Sequence, residues 1–149
     1  IMYNAAKTCD RLANIYHLGI RDACSEEWRR VERYPEIFKV SSDYHIAKLR
    51  SESDGDRKVF EEILSGVESL EQDIYFSVDI DGFDPKLCPG TGTPVPGGLD
   101  WSDFLLVLEA IKQSSKNICG FDLCEVAGSE WDFNVGARVL LHLIAATFP

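Results

Sequence analysis

An α/β sandwich with a parallel sheet is the fold class that this 149-residue sequence predicts. Two observations support it. Long segments of the second half repeat apolar residues at helical spacing, and two short segments rich in β-branched and aromatic residues stand between them. The resulting order of helix, strand, helix, strand, helix is typical of parallel strands joined by helical crossovers.

The first half of the chain carries a weaker version of the same pattern. Residues Asn14–Ile20 and Glu36–Ser42 have the composition of strands, and the segment CSEEWRRVERY between them is helical in character. The polar stretch Arg50–Val59 is interpreted as a surface connection and not as a domain boundary, since patterned sequence resumes at once.

The second half begins with a predicted helix, DRKVFEEILSGVESL, whose apolar residues fall on one face: Val59, Phe60, Ile63, Leu64 and Val67. A strand follows over Asp73–Ile80. After a loop rich in proline and glycine, Asp100 or Ser102 is expected to cap the next helix. That helix carries its own apolar set: Phe104, Leu105, Leu108 and Ile111.

The last two elements are a strand over Asn117–Val126 and a helix that closes the chain. This helix, WDFNVGARVLLHLIAATF, spaces Val135, Val139 and Leu143 four residues apart, so they share one face.

Composition narrows the function classes. The net charge of -10 argues against nucleic acid and against an anionic membrane as partners. The sequence shows no signal-peptide pattern, and its longest apolar run is too short to cross a bilayer. The cysteine count of 5 is odd and contains no CxxC pair, which favours a reduced, cytoplasmic chain without structural zinc. Cys119 and Cys124 are interpreted as core residues because they lie in an apolar run.

Carboxylates cluster at the ends of the two predicted strands of the second half. Asp79 and Asp81 are two residues apart, so in extended chain both side chains face the same side. Glu125 ends the next strand, and adjacent parallel strands would bring the three carboxylates together. A hard divalent cation such as Mg²⁺, Mn²⁺ or Ca²⁺ would compensate their charge. The alternative is that strand-end aspartates cap loops and helices, and this is the interpretation given to Asp84, which precedes a proline.

Other acidic and phosphate-binding motifs fit less well. An EF-hand loop counted from Asp79 would need glycine sixth and glutamate twelfth, but those positions hold Asp84 and Gly90. The segment GTGTPVPGG lacks the lysine of a phosphate-binding loop. An aspartate-based, Mg-dependent phosphotransferase shares the DxDG element, but only locally.

The segment SVDIDGFDPKLCPGTGTPVPGGL closely resembles the signature of the ureohydrolases, the arginase and agmatinase family. GFDLCEVAGSEWDFNVGARVLLHL resembles the family's final strand and helix, and LGIRDACSEE resembles an earlier strand and turn. Together these matches cover most of the chain. The resemblance implies a three-layer α/β/α sandwich with a mainly parallel sheet, the arginase-like fold.

The same resemblance implies a site with two manganese ions (Mn²⁺). Asp79 would bridge both metals and Asp81 would bind one, so that the two act in catalysis through a metal-bound hydroxide. Glu125 would pair with the substrate guanidinium and Thr93 would line the pocket. Asp84 is carried over only as a structural residue.

The sequence also departs from the family. A Gly-Gly-Asp-His segment and an Asp-Ala-His-x-Asp segment, which supply further metal ligands, do not occur here. Residues 1–149 are therefore interpreted as the C-terminal part of a single ureohydrolase domain. His17, His45 and His142 are expected to be packing or surface residues and not substitute ligands.

The expected function is that of a manganese-dependent hydrolase of a linear guanidino or amidino compound, agmatinase- or arginase-like, releasing urea. The form TPVPGGL favours agmatinase over arginase. The isolated chain is expected to bind manganese weakly and to be inactive. The alternatives are a formiminoglutamase-like hydrolase, a non-catalytic truncated relative or assembly module, and the phosphotransferase. A full-length form is expected to be a cytoplasmic homo-oligomer.

Overall fold

The computed structural model describes residues 2–148, which form two compact units divided after Glu71. Each unit contains one pair of parallel strands with a helix between the two strands and at least one helix after them, so the predicted α/β class with parallel strands is confirmed. Among the described helices, none is both long and apolar enough to cross a membrane.

The first unit pairs its two strands in parallel, with His17 opposite Val40. Its elements in chain order are α1 (Met2–Thr8), β1 (Ile15–Ile20), α2 (Ser25–Arg33), β2 (Phe38–Ser42), α3 (Asp43–Arg50) and α4 (Gly55–Glu68). Both predicted strands and the helix between them are therefore confirmed. The polar connection is shorter than predicted, because α3 runs to Arg50 and α4 begins at Gly55.

The core of the first unit forms on the predicted face of α4. Val59, Ile63 and Val67 are buried there, and Ile46 of α3 is buried as well. A partly buried chain of polar groups accompanies them: the Tyr16 hydroxyl donates to Ser41 Oγ at 3.0 Å, and the Ser41 hydroxyl donates to Glu62 Oε1 at 2.5 Å. The polar groups inside this unit thus satisfy one another.

The second unit has the simpler order. It consists of β3 (Asp73–Asp79), a 3₁₀ turn (Ile80–Gly82), α5 (Trp101–Ser114), β4 (Asn117–Cys124) and α6 (Glu130–Thr147). Strands β3 and β4 are parallel, with Ser77 opposite Asp122 and Asp79 opposite Cys124. Their carboxyl ends therefore lie side by side, as the sequence predicts.

The core of the second unit lies between this strand pair and the two long helices. Its buried members are Val78, Ile80, Phe83, Cys88, Phe104, Val135, Val139 and Leu143. The predicted face of α6 is confirmed. On α5, Val107 and Ala110 are buried, whereas the predicted core residue Leu105 is exposed, since the buried stripe runs along the other side of that turn.

Two local predictions have opposite outcomes. Asp100 does cap α5, within a reciprocal pair in which its own N–H donates to Asp103 Oδ2 at 2.8 Å. The placement of Cys119 and Cys124 in the core is wrong, because both are exposed. The apolar run of β4 predicts burial on both faces, but one face of the β3–β4 pair is open to solvent.

Candidate strand-end carboxylate site

The candidate site begins where β3 ends. Ile80 is fully buried, and it anchors the 3₁₀ turn between the two aspartates that flank it in sequence. The Asp81 N–H donates to Asp79 Oδ1 at 3.3 Å, which closes the turn and keeps the two aspartates adjacent. Glu125 directly follows Cys124, the residue paired with Asp79 across the strands. The structure therefore brings together Asp79, Asp81 and Glu125 as predicted.

The pKa of Asp79 is affected by its burial and by the carboxylates that lie near it. Burial raises the pKa of Asp79 above its ordinary value, and the negative charges of Asp81 and Glu125 raise it further. A carboxyl in such surroundings is costly to ionise unless a cation is near. The strand ends therefore form a site that favours positive charge.

The segment Thr91-Gly92-Thr93 spans the two strand ends, and each of its residues has a separate contact. The Thr91 hydroxyl donates to the Glu125 carbonyl oxygen at 3.1 Å. The Thr93 hydroxyl donates to Asp81 Oδ2. A side chain at Gly92 would place its Cβ 3.0 Å from Glu125 Oε2, so glycine leaves room for that carboxylate. The segment therefore connects the 3₁₀ turn after β3 to the turn after β4.

Glu125 has an uncommon backbone conformation, with φ of 59°. A non-glycine residue in the left-handed region costs free energy and is kept there by its surroundings. The hydrogen bond from Thr91 to its carbonyl oxygen is one such restraint. The chain therefore turns away from β4 at Glu125, the residue to which the family resemblance assigns substrate binding.

Asp84 serves the loop and not the strand ends. Its Oδ1 accepts the Lys86 N–H at 2.9 Å, which is the local turn expected of an aspartate before proline. Lys86 Nζ also lies 2.5 Å from Asp100 Oδ1. The structural role predicted for Asp84 is confirmed.

The loop is also attached near its middle, to the start of α6. Asp132 is fully buried; its Oδ1 accepts the Gly90 N–H at 2.8 Å and its Oδ2 accepts the Ser129 N–H at 2.9 Å. Gly90 and Gly128 face each other so closely that a Cβ at Gly128 would lie 2.5 Å from Gly90 Cα. Hydrogen bonds from Ser129 and then from Gly90 lower the pKa of Asp132, so this carboxylate is held ionised.

The histidines lie where the sequence predicts. His142 packs edge-on against Trp101, with ring centroids 5.6 Å apart, and is thus a packing residue of α6. His17 stacks on Phe38 at 6.3 Å within the first unit. His45 lies at the first turn of α3, where its N–H donates to the Ser42 side chain.

The donor set at the strand ends fits a hard divalent cation in kind but not in number. Asp79 and Asp81 offer carboxylate oxygens, the ligands that such ions prefer, and the pKa of Asp79 is raised by burial and then by the neighbouring charge of Asp81. Within residues 2–148, however, no group of three histidine, cysteine, aspartate or glutamate side chains is arranged to hold a metal ion. These residues fit as part of a metal site.

Sequence reasoning missed the supporting residues: Thr91, Gly92, Gly128 and Asp132. Only Asp132 had a local signal, because Ser129-x-x-Asp132 before an apolar run has the form of a capping box. Its bond to Gly90 crosses 42 positions of sequence and has no local signature.

The fold and the strand ends together define an α/β protein with paired aspartates at the carboxyl end of parallel strands and a glutamate on the neighbouring strand. Its sequence matches the Arginase family over residues 1–147. The chain belongs to this family.

Two curated relatives illustrate the match. Arginase-2, mitochondrial, of Mus musculus is 33% identical over 147 residues, covering 95% of this chain and 39% of the mouse protein. Agmatinase of Pyrococcus horikoshii is 42% identical over 88 residues, covering 57% of this chain and 31% of the archaeal protein. The chain thus spans about two fifths or less of the length of these relatives.

Solved structures give the same fold. A hypothetical agmatinase from Burkholderia thailandensis superposes with a TM-score of 0.72 and 28% identity, covering 97% of this chain and 42% of the other. The proclavaminate amidino hydrolase of Streptomyces clavuligerus has a TM-score of 0.70 at 23% identity, covering 99% of this chain and 46% of that protein, and shows the fold alone. The arginase-like α/β fold predicted from the sequence is thereby confirmed.

Proposed function

We propose that this chain contributes the C-terminal half-site of a manganese-dependent hydrolase that cleaves a C–N bond of a linear guanidino or amidino compound and releases urea. The observation that supports it is the convergence of Asp79, Asp81 and Glu125 with a threonine-glycine-threonine segment between them. The arginases and agmatinases among its relatives indicate the substrate class.

Asp79 and Asp81 are the residues proposed to hold metal, and the proposal requires ligands beyond those of residues 2–148. Manganese, when bound, supplies Lewis acidity and activates water for attack on a trigonal carbon. Asp81 also accepts the Thr93 hydroxyl, so the loop orients this carboxylate. Through this contact, the protein keeps one metal-binding group and one pocket-lining group in a fixed relation.

Glu125 is proposed to bind the substrate cation. A carboxylate pairs with a planar guanidinium through charge-assisted hydrogen bonds, which are stronger than neutral ones. Gly92 leaves open the space beside Glu125 Oε2, and Thr93 is on the same loop two residues after Thr91. A positively charged substrate also agrees with the acidic strand ends, which would repel an anion.

Metal and substrate roles are separable by mutation in a form of the protein that hydrolyses agmatine or arginine. We expect Asp79→Ala to lose manganese and urea release together. Glu125→Ala should keep manganese by elemental analysis and raise KM, because only the guanidinium contact is removed. Loss of manganese in Glu125→Ala would show that the proposed roles are wrong.

A matched control is Asp122→Asn. Asp122 lies on β4 near the same end, but its carboxylate accepts the Ser77 hydroxyl at 2.8 Å. Manganese content and KM should stay at parental values in this variant. An effect as large as that of Asp79→Ala would mean that metal binding depends on the total negative charge at the strand ends and not on Asp79 in particular. It would contradict the proposed role of Asp79.

The 149-residue chain by itself is proposed to bind manganese weakly and to turn over neither agmatine nor arginine, because two metal-binding aspartates are too few for a stable site. Measured urea release at rates typical of an enzyme, about 1 per second or more, would overturn this part of the proposal. A homo-oligomeric full-length form and a cytoplasmic location stay predictions.

A further inference from the structure

The loop that carries Thr91, Gly92 and Thr93 is attached at one point to a buried carboxylate far along the chain. Asp132 is fully buried, and it is shared between two tasks. One oxygen completes the cap of α6 by accepting from Ser129, and the other accepts the Gly90 N–H at 2.8 Å. The second contact lies outside the helix and is not needed to cap it.

The contact is specific in geometry. A Cβ at Gly90 would lie 2.8 Å from both Asp132 Oδ2 and Gly128 Cα, so only glycine lets the two backbones approach this closely. Gly128 has φ of 94°, a conformation that favours glycine, and it directly precedes the capping Ser129. Two glycines thus bring the loop against the start of α6, where Asp132 binds it.

The contact between Gly90 and Asp132 also lies next in sequence to the segment that reaches the site. Gly90 immediately precedes the segment whose threonines donate to the Glu125 carbonyl oxygen and to Asp81 Oδ2. If Gly90 moves, Thr91 and Thr93 move with it, and their hydrogen bonds are weakened. Buried, charge-assisted hydrogen bonds are suited to this restraint because they are short and directional.

We propose that Asp132 is a positioning residue for the substrate side of the site: its carboxylate holds the Gly90 N–H and thereby places Thr93 and Glu125. It does not touch substrate. The part concerning substrate rests on the proposed function, whereas the restraint on the loop does not.

The test is amide hydrogen exchange of the protein, measured residue by residue, in Asp132→Ala and in the matched control Ser129→Ala. Asp132→Ala removes the acceptor of Gly90; we expect exchange to accelerate at Gly90, and at Thr91, whose N–H donates to the Cys88 carbonyl oxygen. The expected acceleration is about tenfold to a hundredfold, the factor that a lost charge-assisted hydrogen bond supplies. Ser129→Ala should accelerate the first turn of α6 and leave Gly90 slow. Equal loop exchange in Asp132→Ala and the parent would overturn the proposal.

Two further variants make the test independent of folding and of simple packing. Asp132→Leu keeps the branched shape of the side chain without an acceptor, and it replaces Asp132→Ala if the latter loses the folded state. Asp132→Asn keeps one acceptor oxygen, so its loop exchange should fall closer to the parent than that of Asp132→Ala. An Asn variant no closer to the parent would overturn the acceptor role.

A titration with agmatine distinguishes failure of this proposal from failure of the proposed function. In the parent we expect added agmatine to shift the Thr93 amide resonance, and in Asp132→Ala to require a concentration about tenfold higher. An unchanged agmatine titration in Asp132→Ala would overturn the positioning role. A parent without any agmatine shift would contradict the substrate roles of Thr93 and Glu125, while hydrogen exchange would still decide whether Asp132 restrains the loop.

Discussion

The two parallel strand pairs of this protein have the same topology and use their polar residues in opposite ways. In the first unit, Tyr16, Ser41 and Glu62 form a chain of hydrogen bonds inside the structure. In the second, Asp79, Asp81 and Glu125 gather at the strand ends, where burial and then like charges raise the pKa of Asp79. A parallel pair therefore provides a place for a site, but the residues that follow each strand decide whether a site forms there.

The turn after each strand shows how this difference arises. Ser42, at the end of β2, accepts the His45 N–H at 3.2 Å and so begins α3 at once. After β3, the 3₁₀ turn ends at Gly82, and the loop returns along a bridge between Phe83 and Leu99. The first arrangement uses its polar residue for a helix cap, whereas the second leaves carboxylates facing the loop.

The largest expected effect tests whether the core behind the strand ends supports them. Leu143 on α6 is fully buried, so Leu143→Ala should lower the free energy of unfolding of residues 72–148 by about 2–5 kcal/mol. Ile63→Ala, equally buried on α4, should have the corresponding effect on the first unit. Denaturant titration followed by hydrogen exchange in each unit measures both.

Leu141→Ala is the control for this comparison, since Leu141 lies on the same helix and is 56% exposed. It should change stability by less than about 0.5 kcal/mol. A loss as large as that of Leu143→Ala would mean that the outer face of α6 is covered in solution, and would contradict the burial described here.

The fold could be predicted from the sequence because its signals are local. Helical spacing identified α4 and α6, and β-branched residues identified β3 and β4, to within a few residues at each end. The errors arose where local pattern and packing differ. Cys119, Cys124 and Leu105 belong to apolar segments, yet they face solvent because only one side of each element is covered.

The candidate site could be predicted only in part. Asp79 and Asp81 do lie close together, but the extended-chain geometry predicted for them is wrong, because a 3₁₀ turn over Ile80–Gly82 holds Asp81 beside Asp79. The roles of Glu125 and Thr93 are predicted only from the family resemblance. The residues that support them, such as Asp132 and Gly128, depend on contacts across tens of residues, for which one sequence gives no register. A hydrogen bond between a side chain and a distant backbone group leaves no pattern in the sequence from which it could be predicted.

A second expected effect concerns the loop after the 3₁₀ turn of the second unit, where Gly90 packs against Gly128. Gly128→Ala should destabilise this unit by about 1–3 kcal/mol, because φ of 94° and the 2.5 Å approach of its Cβ to Gly90 disfavour any side chain. Gly82→Ala is the control, as a Cβ there meets nothing within 4 Å. Thermal unfolding of both variants decides, and equal melting temperatures would show that the backbones do not approach so closely.

A third prediction concerns the hydrogen-bonded network of Tyr16, Ser41 and Glu62 in the first unit at high pH. Burial raises the pKa of Tyr16 from 10.0 to about 12; the hydrogen bond between Tyr16 and Ser41 opposes this shift, and the charge of Glu62 adds to it. The folded state therefore holds the phenol proton longer than the unfolded chain, so this stability is complete below pH 10 and is lost as pH rises toward 12.

Tyr16→Phe should remove that pH dependence. The other charged groups near this network are Lys39, whose Nζ lies 5.9 Å from the Tyr16 ring centroid, and His45, 3.7 Å from Glu62 Oε2. Both remain in the variant. Denaturant midpoints at about pH 9 and about pH 11.5 should show the parent losing on the order of 1–2 kcal/mol more than Tyr16→Phe. Parallel losses in the two proteins would contradict the raised pKa.

The smallest expected effect compares the helix caps that follow the two strand pairs. Ser42→Ala removes the side-chain acceptor for the His45 N–H, and Ser129→Ala removes the corresponding acceptor for the Asp132 N–H. Each should cost about 1 kcal/mol of stability, the ordinary value for a lost serine cap. The second variant should cost less than the first, because Asp132 Oδ2 still accepts the backbone N–H of residue 129 and keeps part of the capping pair. Chemical denaturation of both variants measures the order, and a larger cost at Ser129 would indicate that its hydroxyl, and not the carboxylate of Asp132, fixes the start of α6.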